Sequence, residues 1–275
     1  MKDKIKSAIR ILRLAELQAK EFDEPVEIAY SGGKDSDVIL QLAKESGINY
    51  RAIYKNTTID PKGTLAHVRA NGVEIRQPKE SFFTLIKKHG FPSFRFRFCC
   101  HYLKEYKILN TAVWGVRADE SPARAKRYTT FQFCMPYNSK DKVNVFAPIF
   151  DWTLEDVRDF ITDRNITLAP CYYDNDGNID FSRRLGCLGC QLQYNRGIDD
   201  FKANHNFLKA YLRAGQYWCN THPRDLFSNV YELFLYRVFF TKTEDYRMLF
   251  RGNTIFPTAA AKEYLEQYFQ CDLTL

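Results

Sequence analysis

The chain has 275 residues, enough to bury one α/β core and to leave room for a modest second subdomain. Its longest apolar stretches, VNVFAPIF and LFLYRVFF, fall well short of the roughly 20 residues of a membrane-spanning helix, and its charged N-terminus predicts an amphipathic helix and no export signal. We therefore expect a cytoplasmic protein without a membrane partner, and the formal net charge of +7 indicates affinity for some anion.

The first two-thirds of the chain alternates short apolar runs with amphipathic runs, which predicts a mostly parallel sheet covered by helices. In chain order we predict a strand at 26–30, a helix at 36–46 that ends at Gly47, a strand at 50–56, a helix at 64–71, a strand at 73–77, a helix at 80–90, strands at 111–117 and 143–149, and a helix at 151–165. This order is typical of an α/β fold.

The pattern changes after about Cys190, where apolar residues recur at helical spacing and no strand of comparable quality follows. We therefore predict an N-terminal helix at 1–24 packed on the core, a main nucleotide-binding domain at 25–190, and a helical C-terminal subdomain at 191–275. The sequence leaves the oligomeric state open.

The loop SGGKDS, between the first predicted strand and the first predicted helix of the main domain, has the features of a phosphate site. Gly32 and Gly33 allow a sharp turn that brings bare N–H groups against an anion. Ser31 and Ser36 add hydroxyl donors, Lys34 adds a mobile positive charge, and the helix directs the positive end of its dipole at the same space. The loop is neither a Walker A motif nor G-x-G-x-x-G, and an ordinary turn with two glycines is the alternative.

The segment YSGGKDS resembles the pyrophosphate-binding loop of the PP-loop, or adenine nucleotide alpha-hydrolase-like, superfamily, whose fold is a Rossmann-like doubly wound sheet. Two further segments resemble the phosphoadenosine phosphosulfate (PAPS) reductase family. For WGVRADESPAR, the resemblance implies contacts with the nucleotide or its leaving group from Arg117, Glu120, Ser121 and Arg124. For NTTIDPKGT, it implies contacts with the adenosine from Thr57, Thr58 and Asp60. Taken alone, GVRADES is equally compatible with a surface turn that contains an ion pair.

Eight cysteines in a reducing compartment are not expected to form disulfides, so their spacing has to indicate their roles. Four are dispersed, as expected of small apolar residues: Cys134, Cys171, Cys219 and Cys271. The other four form two close pairs: Cys99 with Cys100, and Cys187 with Cys190. Four thiolates from two segments suit tetrahedral zinc or a [4Fe-4S] cluster, while C-x-x-C alone also suits a redox pair.

The order Cys-Cys, a long interval and then Cys-x-x-Cys resembles the cluster motif of the adenylyl sulfate (APS) reductases. The resemblance implies a [4Fe-4S] cluster beside the nucleotide site, held by Cys99, Cys100, Cys187 and Cys190, and it makes zinc the less favoured metal. Cationic residues that flank the pairs would balance an anionic cluster or attract a sulfate or phosphate group: Arg95, Arg97, Lys104, Arg183 and Arg184.

Two features depart from the sulfonucleotide reductases. Those enzymes usually lack the full SGGKDS loop, because they accept a nucleoside monophosphate derivative and need not bind a pyrophosphate, whereas Lys34 and Asp35 are both present here. The reductases also end in a mobile tail with a nucleophilic cysteine in a Glu-Cys-Gly sequence. This chain has QYFQCDLTL, with Cys271 alone. The intact loop favours ATP as the nucleotide.

Three functions follow from these features. The first is a PP-loop enzyme that cleaves ATP, with Mg²⁺, between its α and β phosphates and adenylates an acceptor in sulfur transfer, for instance tRNA or DNA. Its catalytic residues would be Lys34, Asp35 and Arg117, and the cluster would bind the sulfur from a donor.

The second function is an APS or PAPS reductase that forms sulfite with thioredoxin-type electrons and uses Cys271 as nucleophile. The third is a non-catalytic accessory protein that binds a nucleotide or a nucleic acid. It is suggested by FPSFRFRF, in which phenylalanines alternate with arginines. The alternative for this segment is a strand or loop that covers the cluster.

Overall fold

A computed structural model describes residues 1–136, 142–193, 195–223, 227–240, 242–250 and 261–275, without the side chains of 133–136 and 250. The chain forms two compact units. Unit 1 comprises 1–56, 60–78 and 103–185, and unit 2 comprises 57–59, 79–102 and 186–275.

Unit 1 contains a six-stranded sheet in the order β3-β2-β1-β4-β6-β5. Its strands are β1 (Val26–Tyr30), β2 (Tyr50–Lys55), β3 (Glu74–Arg76), β4 (Thr111–Val113), β5 (Phe131–Pro136) and β6 (Lys142–Phe146). All neighbouring strands are parallel except β5, which pairs antiparallel with β6 at the edge. The predicted α/β fold with a mostly parallel sheet is thereby confirmed.

Twelve α-helices lie in the described part of the chain. They are α1 (Lys2–Lys20), α2 (Lys34–Ser46), α3 (Thr64–Ala70), α4 (Phe82–His89), α5 (Phe98–Leu103), α6 (Pro122–Arg127), α7 (Leu154–Asp163), α8 (Ile198–Ala203), α9 (His205–Thr221), α10 (Val230–Phe234), α11 (Thr243–Phe250) and α12 (Ala261–Phe269). A π-helical turn, Leu235–Phe239, continues α10. No helix within these ranges combines the length and the apolar character that crossing a bilayer requires.

Local sequence signals set the helices that pack on the sheet. Along α1, four apolar residues at spacings of three and four are buried: Ala8, Leu12, Ala15 and Ala19. Helix α2 ends where Gly47 adopts φ +70, and α7 begins at a capping box between Thr153 and Asp156. These three helices and the sheet share one apolar core that includes Trp152.

Unit 2 is helical in its described part, and its core is aromatic. The ring of Phe91 stacks on Tyr211 at 4.6 Å between centroids, and Tyr211 also contacts Phe82, Phe201 and Phe234. Residues 79–102, which the sequence assigned to the main domain, therefore group with the C-terminal helices because α4 and the loop after it pack on α9.

Candidate nucleotide site and cysteine cluster

The loop after β1 lies at the point where the order of the sheet reverses. The chain proceeds from β1 to β2 and β3 on one side, and then returns to β4 on the other side of β1. In open α/β sheets, a crevice forms at the carboxyl ends of the strands at such a point, and ligands bind there. The turn needs Gly32, because its φ is +78 and a Cβ would lie 3.1 Å from Leu185 Cδ2.

A polar cavity of about 180 Å³ occupies this crevice. Its lining includes the predicted loop residues Ser31, Gly33, Lys34, Asp35 and Ser36, at the N-terminus of α2. Two arginines and one further carboxylate complete the charged lining: Arg124, Arg184 and Glu120. Helix N-termini and convergent cations both favour anions, so the cavity is suited to phosphate groups, and it is called the phosphate cavity below for that reason.

Lys34 is a buried cation at this cavity. Its Nζ donates to Arg183 O at 3.2 Å and lies 3.8 Å from Asp35 Oδ2 and 5.5 Å from the centre of the Tyr172 ring. Burial lowers the pKa of Lys34, and the positive charges of Arg117 and Arg184 lower it further, against the opposing effect of Asp35 and Glu120. A desolvated ammonium with its charge only partly balanced is expected to gain from a phosphate partner.

Arg117 is placed behind Asp35 and is not among the residues that line the cavity. It is 3% exposed, its Nε donates to Asp35 Oδ1 at 2.6 Å, and its Nη1 donates to Asp119 Oδ2 at 3.0 Å. The sequence predicted direct contact between this guanidinium and the nucleotide. Its position instead suits orientation of the Asp35 carboxylate.

The segment ADESPAR brings a second arginine to the cavity. Ser121 is the N-cap of α6, and its Oγ accepts a hydrogen bond from Arg124 N at 3.2 Å. The Glu120 carboxylate pairs with Arg124 and lies 3.7 Å from Arg184 Nη2. Of the four residues implied by the family resemblance in this segment, Glu120 and Arg124 line the cavity.

A second cavity, of about 230 Å³, lies beside the first and shares Ala29 and Ser31 with it. Ile53, Tyr54 and Trp114 give this cavity an apolar wall. Asp60, one of the predicted adenosine contacts, also lines it. A polar cavity adjoining an apolar one matches the two ends of a nucleotide.

The two predicted threonine contacts belong to unit 2. Thr58 has φ +65, and its hydroxyl accepts a hydrogen bond from Phe82 N at 2.9 Å, while Thr57 is buried. Their predicted contact with adenosine stays a prediction.

The four paired cysteines all lie in unit 2 and are all half-buried. A hydrogen bond with Cys100, burial, and the negative charges of Cys100, Cys190 and Cys187 raise the pKa of the Cys99 thiol. The other three cysteines thus act electrostatically on the Cys99 thiol, while no group of three or more His, Cys, Asp or Glu side chains in the described ranges is arranged to hold a metal ion. Neighbouring thiolates repel one another, and a bound metal would relieve that repulsion.

The Cys-x-x-Cys turn and a buried tyrosine fit such a group. Gly189, inside the turn, has φ +67, its N–H donates to Asp200 Oδ2 at 2.8 Å, and a Cβ would lie 2.7 Å from Phe201 Cζ. Tyr211 is 0% exposed, and its hydroxyl has no hydrogen-bond partner among the described residues. Burial and the charges of Cys99 and Cys190 raise its pKa, so an unsatisfied O–H donor lies near the sulfurs.

Comparison with known proteins decides the family. Residues 25–193, more than half of the chain, match the model of the phosphoadenosine phosphosulfate reductase domain. The chain belongs to the PAPS reductase family. The resemblance seen in the loop and in GVRADES is thereby confirmed for the family as a whole.

The relatives of this PAPS reductase family chain are distant. An uncharacterised protein of Methanocaldococcus jannaschii is 27% identical over 211 residues, which is 69% of this chain and 47% of that protein, so the chain spans about half of its length. Sulfate adenylyltransferase subunit 2 of Bacteroides thetaiotaomicron is 28% identical over 203 residues, 58% of this chain and 66% of that protein. The crystal structure of the PAPS reductase of Candida auris in complex with phosphate is 20% identical, with a TM-score of 0.43, over 59% of this chain and 82% of that one.

Tyr172 is a functional candidate in this PAPS reductase family chain that the sequence did not reveal. Its hydroxyl oxygen accepts hydrogen bonds from Lys34 N at 3.1 Å and Leu185 N at 3.3 Å, and the residue lines the phosphate cavity. Burial raises the pKa of Tyr172 to about 12. The O–H therefore stays protonated at neutral pH and can donate to an anion in the cavity.

A buried polar network below the loop also escaped the sequence analysis. The Asp37 carboxylate accepts a hydrogen bond from Tyr30 Oη and lies 3.0 Å from His67 Nε2. Burial raises the pKa of Asp37, against the effect of His67 and Tyr30. Asp37 lies in the first turn of α2 and links β1, α2 and α3 through these contacts. Because its partners are distant in the sequence, the network has no local signature.

Proposed function

We propose that the protein binds ATP at the two adjoining cavities and cleaves it between the α and β phosphates to adenylate an acceptor in sulfur transfer. The observation that carries the proposal is the polar cavity at the end of β1, with Lys34, Arg124 and Arg184 around the N-terminus of α2. The adjoining apolar cavity with Tyr54 and Trp114 suits the adenosine. The name of the Bacteroides relative describes adenylyl transfer, which supports a nucleotide reaction of this class.

The chemistry of the proposed step is mainly electrostatic. An acceptor oxygen attacks the α phosphorus, the bond from that phosphorus to the α–β bridging oxygen breaks, and pyrophosphate leaves with the bridging oxygen. Lys34, Arg124 and the loop N–H groups stabilise the negative charge that develops on the leaving group. Tyr172 adds a neutral donor, and Arg117 acts through Asp35, which it positions.

Asp35 is the side chain at the cavity that fits a Mg²⁺ ion. Its Oδ1 accepts a hydrogen bond from Arg117 Nε at 2.6 Å, and its Oδ2 lies 3.8 Å from Lys34 Nζ, beyond hydrogen-bond distance. Mg²⁺ in such sites is held by one or two carboxylates together with substrate phosphates, and it would neutralise charge on the leaving pyrophosphate.

The proposal also includes a [4Fe-4S] cluster, which is supported by the chemistry of four thiols in unit 2. Cys99, Cys100, Cys187 and Cys190 would be the ligands, since iron–sulfur clusters take thiolates and the negative charges of the other three cysteines raise the pKa of the Cys99 thiol. The Tyr211 hydroxyl would donate to a sulfur of the cluster. Because four thiolates would give every iron a ligand, a sulfur atom from a donor would bind an iron of such a cluster only in place of one of these thiolates. Iron and sulfide counts on anaerobically purified protein test this part separately.

The nucleotide part is tested by equilibrium binding of ATP with a matched pair of variants in α2. Lys34→Met removes the buried ammonium at the cavity, whereas Lys44→Met removes an exposed one from the last turn of the same helix. A hydrogen bond to a charged group contributes about 1.5–3 kcal/mol, so Lys34→Met should weaken ATP binding by about 10- to 100-fold and Lys44→Met should not change it. Equal effects of the two variants, or no release of pyrophosphate from ATP with any acceptor tried, would refute the proposal.

The sulfonucleotide reductase alternative is an outcome of the same measurements. It predicts sulfite release from APS or PAPS with a thioredoxin-type reductant and tighter binding of these nucleotides than of ATP. Burial, Glu266 and Asp272 raise the pKa of Cys271, with Lys209 opposing them, which lowers the fraction of thiolate that a nucleophile needs.

A further inference from the structure

An open groove of 1090 Å³ lies within unit 2 and takes no part in the nucleotide site described above. Its walls come from the loop between α4 and α5, the residues just after Cys190, and the segments that end the π-helical turn and begin α11. Four cations line the groove against one carboxylate: Arg95, Arg196, Arg237 and Lys242, against Glu244. The groove is therefore electropositive.

Three of these cations have no carboxylate partner in the part of the chain that the structure describes. Arg95 and Lys242 are exposed, and neither forms an ion pair there. Arg196 is half-buried, and its guanidinium donates to the backbone oxygens of Phe239 and of Phe240, the latter at 2.9 Å. These carbonyl contacts fix the guanidinium without neutralising it, which leaves a positioned positive charge for an anionic ligand.

A rigid turn presents an aromatic ring and a cation side by side at the groove. Ser93 and Phe96 exchange two backbone hydrogen bonds, each of 3.1 Å, so Phe94 and Arg95 occupy the tip between them. Phe94 is 65% exposed and Phe96 is 46% exposed, although phenylalanine normally buries its ring. The buried ring of Phe98 packs on Phe96 at 5.5 Å and fixes the base of the turn. The ring of Phe96 is thus held in place, and Phe94 lies at the tip of the same hydrogen-bonded turn.

A buried acceptor completes the lining. Gln191 is 5% exposed, and its Nε2 donates to Arg196 O at 3.0 Å. Its Oε1 is buried and has no hydrogen-bond partner among the described residues. Because an unsatisfied buried carbonyl is costly, this atom indicates a ligand that brings an N–H or O–H donor.

We propose that this groove binds a single-stranded segment of nucleic acid. Exposed aromatic rings stack on unpaired bases, unpaired arginine and lysine charges follow the phosphates, and the Gln191 carbonyl accepts from a base amino group or a ribose hydroxyl. An acidic protein segment would satisfy the cations alone. It would leave the exposed rings of Phe94 and Phe96 and the Gln191 acceptor without a role, so nucleic acid is the occupant that uses all three features.

The groove is adjacent in the chain to both cysteine pairs. Phe96 precedes Cys99 by three positions, and Gln191 directly follows Cys190. If the proposed function holds, on which this step rests, the bound strand is the acceptor that is adenylated and receives sulfur. Binding itself does not depend on that chemistry, because the residues that line the groove are distinct from those at the ATP cavities.

The test is fluorescence anisotropy with the full-length, anaerobically purified chain and labelled oligonucleotides about 12 nucleotides long, within the usual site size. Oligouridylate, oligothymidylate and a duplex of the same length are titrated without ATP over a range of salt concentrations. Nucleotide binding is measured separately without oligonucleotide, so either proposal can fail alone. Tighter binding of oligouridylate would identify RNA as the ligand, and tighter binding of oligothymidylate would identify DNA. Either result supports the proposal.

Three variants at two positions of the turn and two control variants locate the binding. Phe94→Ala should weaken single-strand binding by about 5- to 100-fold, and Phe94→Trp should restore it, as expected for stacking on bases. Arg95→Ala should reduce the slope of log affinity against log salt by about 0.7, the value for one phosphate contact on a single strand. Phe22→Ala and Lys6→Ala, exposed positions in unit 1, should change neither quantity.

Several outcomes would overturn the proposal. The first is the absence of salt-dependent binding of either single strand. The second is equal affinity for the duplex, and the third is equal losses in Phe22→Ala and Phe94→Ala. The fourth is competition by polyglutamate for the groove, if Phe94→Ala leaves the affinity for polyglutamate unchanged. The groove would then be a general anion-binding surface.

Discussion

The Tyr172→Phe substitution tests whether the hydroxyl of Tyr172, which is far from the loop in the sequence, holds the loop of the phosphate cavity in place. The substitution removes only the hydroxyl, whose oxygen accepts from Lys34 N at 3.1 Å and from Leu185 N at 3.3 Å. Lys34 N belongs to the first turn of α2, where backbone N–H groups have no partner inside the helix. The variant therefore leaves two backbone donors without their acceptor.

At neutral pH these two donors determine how much unfolding free energy Tyr172→Phe loses. A buried N–H without an acceptor costs about 1–3 kcal/mol, and water in the cavity can reach the loop, so we expect Tyr172→Phe to lose about 1–3 kcal/mol of unfolding free energy in total. ATP binding should weaken by about tenfold, because the loop loses an attachment and the cavity loses a donor.

At alkaline pH the difference between wild type and variant should shrink. Burial raises the pKa of Tyr172 from 10.0 to about 12, so the folded protein holds this proton more tightly than the unfolded chain. The contribution of this proton to the unfolding free energy is fully present below pH 10 and is lost as the pH rises to about 12. The change is about 2.7 kcal/mol, at 1.36 kcal/mol per pKa unit. Tyr172→Phe has no such proton and should lack this loss.

The assay is urea unfolding followed by far-UV circular dichroism at several pH values, with Tyr217→Phe as the matched control. Tyr217 is exposed, so its substitution should leave both the neutral and the alkaline stability unchanged. A constant difference between wild type and Tyr172→Phe from pH 9 to about 12 would refute the burial argument. Unchanged ATP binding in Tyr172→Phe would refute its role at the cavity.

Three further predictions concern other parts of the molecule. Glu27→Gln should cost about 3–5 kcal/mol of unfolding free energy at neutral pH, because it leaves the buried ammonium of Lys55, 3.4 Å from Glu27 Oε1, without its carboxylate. Burial raises the pKa of Glu27, so this cost should shrink as the pH falls through that pKa, where wild type also carries a neutral side chain. Gly189→Ala should lower the iron content of purified protein while ATP binding persists, because its Cβ would collide with Phe201; full iron loading would contradict the geometry of the turn. Cys271→Ser should retain ATP-dependent turnover, and loss of sulfite formation in this variant would instead support the reductase alternative.

The sequence predicted the elements whose signals are local. The strand at β1, the glycine that ends α2 and the capping box of α7 are all encoded within a few residues, and the structure contains each of them. The edge strand β5 was missed because its position depends on antiparallel pairing with β6, and α6 was missed because only six residues form it. Pairing partners along a sheet are not a property of the strand itself.

Site residues followed the same division. The loop from Ser31 to Ser36 is one short segment with a local signature, and five of its six residues line the cavity. Tyr172 was not, since its contact with Lys34 spans 138 positions in the sequence. Arg117 was predicted as a ligand of the nucleotide, but burying a guanidinium requires carboxylate partners, and Asp35 and Asp119 supply them.

The charge of the phosphate cavity leads to a last prediction, which distinguishes ATP from a sulfonucleotide. Lys34, Arg124 and Arg184 against Asp35 and Glu120 leave one net positive charge, to which the N-terminus of α2 adds about half a charge. This lining is too weakly positive to balance the polyphosphate of ATP, which carries more negative charge than APS does, so ATP should need a divalent cation. We expect EDTA to weaken ATP binding by more than about tenfold in calorimetry and to leave APS binding unchanged. Equal ATP affinity with EDTA and with Mg²⁺ would refute this reasoning from the charge of the cavity.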